Sequence, residues 1–279
     1  MAELLWSSRP TVHQPVLVAA FEGWNDAGEA ASHAVAYLNR AWDATTFATV
    51  DPEEFYDFTV TRPQVRIDDG DLRQVDWPEN RFALARPEAS PDVVLLSGIE
   101  PQLRWRTFCG LVLEVAEALE ARLVVTLGAL LADVPHSRPT SVFGTAYDDS
   151  VMEALHLEPS QYEGPTGIVG VLHAECHRRG LHSASLWAAV PSYVAAAPSP
   201  KAAHALVGRV CELLGTELPC EDLHDAGEVY EQQISELVAE DPDTEAYVRH
   251  LEETHDHDES AVDNAGKLVA EVERFLRDQ

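Results

Sequence analysis

The sequence predicts an α/β protein, a three-layer α/β/α sandwich with a mostly parallel central sheet and a C-terminal helical appendage. Three observations support this prediction. Short apolar runs typical of buried strands alternate with amphipathic helical segments, as in parallel sheets that are covered on both faces. The first strand, 16–20, leads through a polar turn containing tryptophan directly into a helix. Beyond about residue 217 only helical spacing remains.

Six apolar runs are the predicted strands of the main sheet. They are 16–20, 45–50, 92–97, 123–127, 141–146 and 183–190, and Gly128 is expected to end the fourth. Segment 51–86 alternates apolar residues without a helical period and carries turn signals at 68–70 and 77–80. This pattern predicts hairpin-like strands or an ordered loop that leaves the main sheet.

The helices are predicted from their apolar spacing and their terminal residues. Asp26 and Glu29 form a capping pair before the first helix, and a second helix covers 105–119. Thr166 is expected to cap a helix that runs through residue 172, and a helix from 199 is closed by Gly215. Three acidic helices follow, around 223–237, 247–251 and 262–276. We therefore predict an α/β domain at 1–215 and an acidic helical subdomain at 216–279.

Composition limits the classes of partner and compartment. The 279 residues include 48 acidic and 19 basic side chains, a formal charge of −29 that repels phosphate backbones and anionic lipids. Nucleic acid and membranes are therefore not expected as partners. The four cysteines form no C-x-x-C pair, as expected of reduced thiols. No signal peptide or run of ~20 apolar residues is evident, which predicts a soluble cytoplasmic protein.

Polar side chains cluster in the turns that follow the predicted strands, where open parallel sheets bind ligands. The candidate pocket residues in these turns are Glu22, Trp24, Asn25, Asp26, Glu100, Thr166 and Gly167. A structural interpretation stays open beside this one. In it Asp26 and Thr166 are helix caps, and Glu100 only precedes a proline turn.

The loop 135–139 contributes two further candidates, His136 and Arg138, which together would clamp a carboxylate or phosphate. Alternatively, Arg138 pairs with one of the many carboxylates. Segment 164–170 is rich in glycine and has neither the Walker nor the dinucleotide pattern, so no cofactor is expected. The serines lack a nucleophile elbow, so serine hydrolase chemistry is not supported, and no catalytic residue is assigned. Segment 254–258 is expected to be a solvated acidic loop, and no metal is predicted.

Several segments agree, in order, with one known family. They are 21–28 (FEGWNDAG), 51–58 (DPEEFYDF) with Arg62-Pro63, 98–101 (GIEP), 127–139 with PHSRP, and 162–167 (YEGPTG). From about residue 16 to 215 the chain resembles the PAC2 (proteasome assembly chaperone 2) family, in particular its actinobacterial branch. The resemblance implies a sandwich similar to nucleoside phosphorylases and a homo-oligomer, a trimer or larger. It also implies proteasome subunits, or another protein, as partners.

Two functions follow as hypotheses. The first is a non-enzymatic, self-associating assembly or binding protein similar to the proteasome assembly chaperones. Chaperone members of the family often end in a docking tail with a penultimate tyrosine, whereas this sequence ends in Phe-Leu-Arg-Asp-Gln. The alternative is a small-molecule enzyme acting on nucleosides, glycosides or acyl–amine bonds, with Asp26 or Glu100 as general acid or base.

Overall fold

The computed structural model describes residues 3–67, 73–160 and 162–259, so the predicted helix at 262–276 and the turn at 68–70 lie outside the described residues. The strands are β1 (Leu4–Trp6), β2 (Val16–Glu22), β3 (Thr45–Val50), β4 (Gln64–Ile67), β5 (Arg73–Asp76), β6 (Asn80–Ala85), β7 (Val93–Ile99), β8 (Leu123–Ala132), β9 (Val142–Ala146) and β10 (Ser183–Pro191). The helices are α1 (Ala30–Ala41), α2 (Trp105–Ala118), α3 (Asp149–Leu155), α4 (Ile168–Arg179), α5 (Pro200–Leu214), α6 (Glu221–Ala239) and α7 (Pro242–Glu259).

Eight strands form the main sheet in the order β1-β3-β6-β7-β2-β8-β10-β9. The four central strands β7, β2, β8 and β10 are parallel, and the strands on either side of them are antiparallel. Parallel pairing brings the carboxyl ends of the central strands to one edge of the sheet, with Glu22 beside Ile99. The predicted α/β fold with a parallel centre is thereby confirmed.

Strand β2 shows why helices cover both faces of the sheet. Val16, Val18 and Ala20 belong to one apolar core, which is completed by α1 and α5. The alternate residues, among them Leu17 and Phe21, belong to the second core, which is completed by α2 and α4. Because successive side chains of a strand point to opposite faces, an unbroken apolar run serves both cores. Burial of each large apolar side chain stabilises the folded state by about 1.5–3 kcal/mol relative to leaving it exposed.

Two strand predictions are corrected. Strand β8 does not end at Gly128 but continues to Ala132. Position 128 needs glycine for a different reason. A Cβ there would lie 2.6 Å from the ring of Trp187 on β10. The second correction concerns 51–86, which was expected outside the main sheet. Its last part is β6, which pairs with β3 and β7 and buries Phe82 in the second core.

The remainder of that segment is a hairpin outside the main sheet, as predicted. Among the residues that the structure describes, strands β4 and β5 pair only with each other, with Val65 opposite Val75. Residues two apart share a face, so Ile67 joins the two valines, while Arg66 and Asp76 form an ion pair on the other face. Three of the four side chains on this face are apolar and exposed, and the fourth is Arg73, which lies opposite Ile67.

The C-terminal helices pack against the sandwich. Helix α6 lies along α5, and the Tyr37 hydroxyl on α1 donates a hydrogen bond to Asp222 Oδ1 at 2.6 Å. Segment 254–258, expected as a loop, lies in α7 instead. None of the helices within the described ranges is long and apolar enough to span a membrane. The domain boundary at 215 stays a prediction.

Candidate functional site

The Glu100 carboxylate joins three segments at the carboxyl edge of the sheet. Its oxygens accept hydrogen bonds from the backbone N–H of Trp24 (3.3 Å), from Asn25 Nδ2 (3.2 Å) and from the N–H of Ile168 at the start of α4 (2.8 Å). The backbone N–H of Glu100 in turn donates to the carbonyl of Glu22 at 2.8 Å. The turns after β2 and β7 and the start of α4 thus meet, because their strands are adjacent and parallel.

Asn25 and Gly167 are in direct contact. A Cβ at Gly167 would lie 2.0 Å from Asn25 Nδ2, so only glycine leaves space for the amide. Gly167 is also the N-cap residue of α4, which corrects the assignment of Thr166 as the cap. Thr166 Oγ1 instead lies against Gly170, one turn into the helix. Thr166 and Gly167 therefore stand beside Asn25, as the clustering of strand-end turns predicts.

Asp26 caps α1 from an unexpected position. Its Oδ1 accepts from the N–H groups of Ala31 (2.7 Å) and Ser32 (3.2 Å), five and six residues ahead. A single 3-10 turn at 27–29 lies between, and Glu29, at φ 53°, is the N-cap residue of α1. The predicted capping pair with Glu29 is thus corrected. Asp26 alone supplies the cap through its side chain, whereas Glu29 takes the N-cap position with its backbone.

A cavity of about 950 Å³ opens beside this cluster. Trp24, Asn25 and Asp26 form one wall, Thr166 and α4 a second, and Tyr147 and Trp187 a third. Trp24 is 51% exposed, whereas Asn25 is buried. The volume is in the range of small-molecule sites, and the lining combines apolar and aromatic surface with a few polar groups, as such sites do.

The titratable groups here have shifted pKa values. Burial raises the pKa of Asp26, against the hydrogen bonds that it accepts. Partial burial, followed by repulsion from Asp26 and Glu29, raises the pKa of Glu22. Burial lowers the pKa of His173 to about 4, so this imidazole is neutral at pH 7, stacked on Tyr147.

His136 and Arg138 do not join this cavity, which corrects the predicted anion clamp. His136 is 4% exposed, and its ring nitrogens hydrogen-bond Tyr193 Oη at 2.8 Å and Ser235 Oγ on α6 at 2.9 Å. Arg138 pairs with both carboxylate oxygens of Asp256 on α7, at 2.7 and 2.8 Å. The C-terminal helices cover this loop and use its polar groups, so the alternative interpretation of Arg138 describes its contact.

Sequence reasoning missed the residues that lie on regular elements. Tyr147, His173 and Trp187 line the cavity from the end of β9, from α4 and from β10. The clustering of polar residues predicts site residues only in the loops that follow strands, and these three residues lie elsewhere. For Trp187 the sequence does contain a signal: a tryptophan in a predicted buried strand needs space, which a glycine on a neighbouring strand can provide.

The two candidate acid–base carboxylates have structural hydrogen-bond partners. The carboxylates of Glu100 and Asp26 already accept N–H groups of the fold, which is what structural acceptors do. Within 3–67, 73–160 and 162–259, no three His, Cys, Asp or Glu side chains are grouped so that they could hold a metal ion.

The family model described as "PAC2 family" matches residues 20–238. The chain is similar to a PAC2 family protein from Streptomyces avermitilis, at 46% identity and a TM-score of 0.79, over 84% of this chain and 99% of that one. It is also similar to a proteasome-assembly chaperone homologue from Mycobacterium tuberculosis, at 47% identity and a TM-score of 0.76, with the same coverage.

A third similar structure, a Mycobacterium tuberculosis protein of unknown function, has 29% identity and a TM-score of 0.84, over 99% of this chain and 95% of that one. No curated protein matches the chain. Since the family model spans most of the sequence and the two actinobacterial structures agree with it in fold, the chain belongs to the PAC2 family.

Proposed function

We propose that this protein is a non-enzymatic, self-associating binding protein related to the proteasome assembly chaperones. The observation that carries the proposal is the group of exposed apolar side chains on one face of the β4–β5 hairpin. Val65, Ile67 and Val75 share this face and are 62%, 67% and 48% exposed. Contiguous exposed apolar side chains of this kind mark interaction sites.

No other part of the described chain covers the exposed apolar side chains of the hairpin. A two-stranded hairpin alone is marginally stable in water, and it gains stability when a third element covers its apolar face. A second copy of the chain offers the same apolar face, so the two surfaces are complementary in character. The paired residues of this face are Arg73 and the three apolar side chains, so the face brings no acidic side chain into contact between chains of charge −29.

The Mycobacterium tuberculosis relative, named a proteasome-assembly chaperone homologue, supports proteasome subunits as partners. Co-expression of the tagged full chain with α-type proteasome subunits from the same organism tests this part. We expect the subunits to copurify with the wild type and to be lost from a Val65→Thr, Ile67→Thr variant. Copurification with neither protein would contradict it.

Light scattering after size exclusion tests self-association. We expect the wild type to be larger than a monomer and the Val65→Thr, Ile67→Thr variant to dissociate, because threonine keeps the strand but removes apolar surface. Leu237→Gln is the control, since Leu237 is 60% exposed on α6, away from the hairpin. A monomeric wild type would refute self-association.

The cavity gives some support to the alternative, a small-molecule enzyme that uses Asp26 or Glu100 as acid or base. A thermal-shift screen with nucleosides, nucleotides and phosphate tests it. A ligand at 100 times its Kd stabilises the folded state by about 2.7 kcal/mol. Turnover of any compound that shifts the midpoint would favour this alternative, and the absence of any shift would count against it.

A further inference from the structure

The cavity beside Trp24 is acidic and aromatic at once. Its lining residues include the aromatic Trp24, Tyr147 and Trp187 and the acidic Asp26 and Glu29. No Lys or Arg occurs among its described lining residues. An anionic ligand would find no positive partner here, whereas a cation would find both carboxylates and aromatic faces.

The carboxyl groups at this end of the sheet lie close enough to act on one another. The charged groups that perturb Glu22 are Asp26 and Glu29, and each of them is another carboxylate. Glu29 also acts on Asp26 in the same direction. Like charges held close together at a partly buried site favour the binding of a positive group.

The cavity favours an organic cation over a metal ion. Since the carboxylates are not grouped as metal ligands within the described chain, an organic cation with N–H groups fits better than a metal ion.

We propose that this cavity binds an organic amine, a cation that carries a flat apolar ring. The ring stacks among the aromatic side chains, and the ammonium group lies between Trp24 and Glu29. This binding site is separate from the hairpin surface, so it adds a second activity to the proposed assembly function.

Three compounds with one phenyl ring and different charge test the proposal: 2-phenylethylamine, 2-phenylethanol and 3-phenylpropionate. Calorimetric titration of the full chain is expected to give measurable binding of the amine, at least tenfold weaker binding of the alcohol, and no binding of the acid. Methylammonium, which has no ring, is expected not to bind. Equal binding of amine and alcohol, binding of the acid, or no binding of the amine would overturn the proposal.

Matched variants locate the site. Trp24→Ala is expected to weaken amine binding roughly 3- to 30-fold through the lost cation–π contact. Trp77→Ala is its control, because Trp77 is 50% exposed, like Trp24, but does not line the cavity. Glu29→Gln is expected to weaken binding about 2- to 5-fold, as removal of a solvent-accessible charge does. Equal effects of Trp24→Ala and Trp77→Ala would show that the amine binds elsewhere and would overturn the assignment.

Discussion

Removal of the Glu100 carboxylate should destabilise the whole carboxyl edge of the sheet. Glu100 accepts from the N–H of Ile168 at 2.8 Å, from Asn25 Nδ2 at 3.2 Å and from the N–H of Trp24 at 3.3 Å. A hydrogen bond to a charged group is worth about 1.5–3 kcal/mol, and water can replace it at exposed donors such as Trp24. Two buried or half-buried donors remain, so Glu100→Ala should lower the free energy of unfolding by roughly 3 kcal/mol.

Urea denaturation followed by circular dichroism measures this loss. Glu100→Gln keeps one acceptor oxygen and should lose only about 1 kcal/mol. Glu253→Ala removes a carboxylate from the exposed side of α7 and should stay within about 0.5 kcal/mol of the wild type. The reasoning is refuted if Glu100→Ala is as stable as Glu253→Ala, since the three contacts would then contribute nothing.

Three further predictions concern packing, pH and the C-terminal helices. Gly128→Ala should cost about 1–3 kcal/mol in thermal unfolding because its Cβ would meet Trp187, whereas Gly208→Ala, with open space in α5, should gain about 0.5–1 kcal/mol. Burial lowers the pKa of His173 to about 4, whereas an ordinary histidine has a pKa of about 6.5. Above pH 6.5 the imidazole is neutral in both the folded and the unfolded chain, so its burial then carries no protonation cost. Stability should therefore fall by roughly 3 kcal/mol as the pH drops to 4, a loss absent from His173→Phe. Arg138→Ala should speed amide hydrogen exchange in α7 while leaving α2 unchanged, and equal rates in α7 would contradict the docking contact.

The central strands could be predicted because they are buried on both faces. In β2 every residue from Val16 to Phe21 is buried, so no solvent-facing position interrupts the apolar run. Strand β6 escaped prediction because it follows the turn at 77–80 within a segment dominated by the exposed hairpin. Its partners, β3 and β7, are set by tertiary pairing that no local pattern reports.

The candidate site was predictable in part for the same reason. Adjacent parallel strands bring the turns containing Asn25 and Glu100 together, so that contact follows from the fold alone. The position of His136 does not follow, because it depends on contacts with Ser235, about a hundred residues further along. Likewise, the role of Gly128 depends on the ring of Trp187 on the neighbouring strand β10, which the sequence of β8 by itself does not include.

The loops at the carboxyl edge of the sheet differ in how far the C-terminal helices cover them. At the end of β8, α7 fastens the following loop through Asp133, which accepts from Tyr247 Oη at 2.9 Å, and through Arg138. Around Trp24 nothing in the described chain seals the surface, and the cavity opens there. The residues of α7 that contact this loop are therefore constrained in sequence, although the loop lies more than a hundred residues earlier in the chain. The exposed residues around Trp24 carry no such constraint from α7, so their sequence can change as the bound ligand changes.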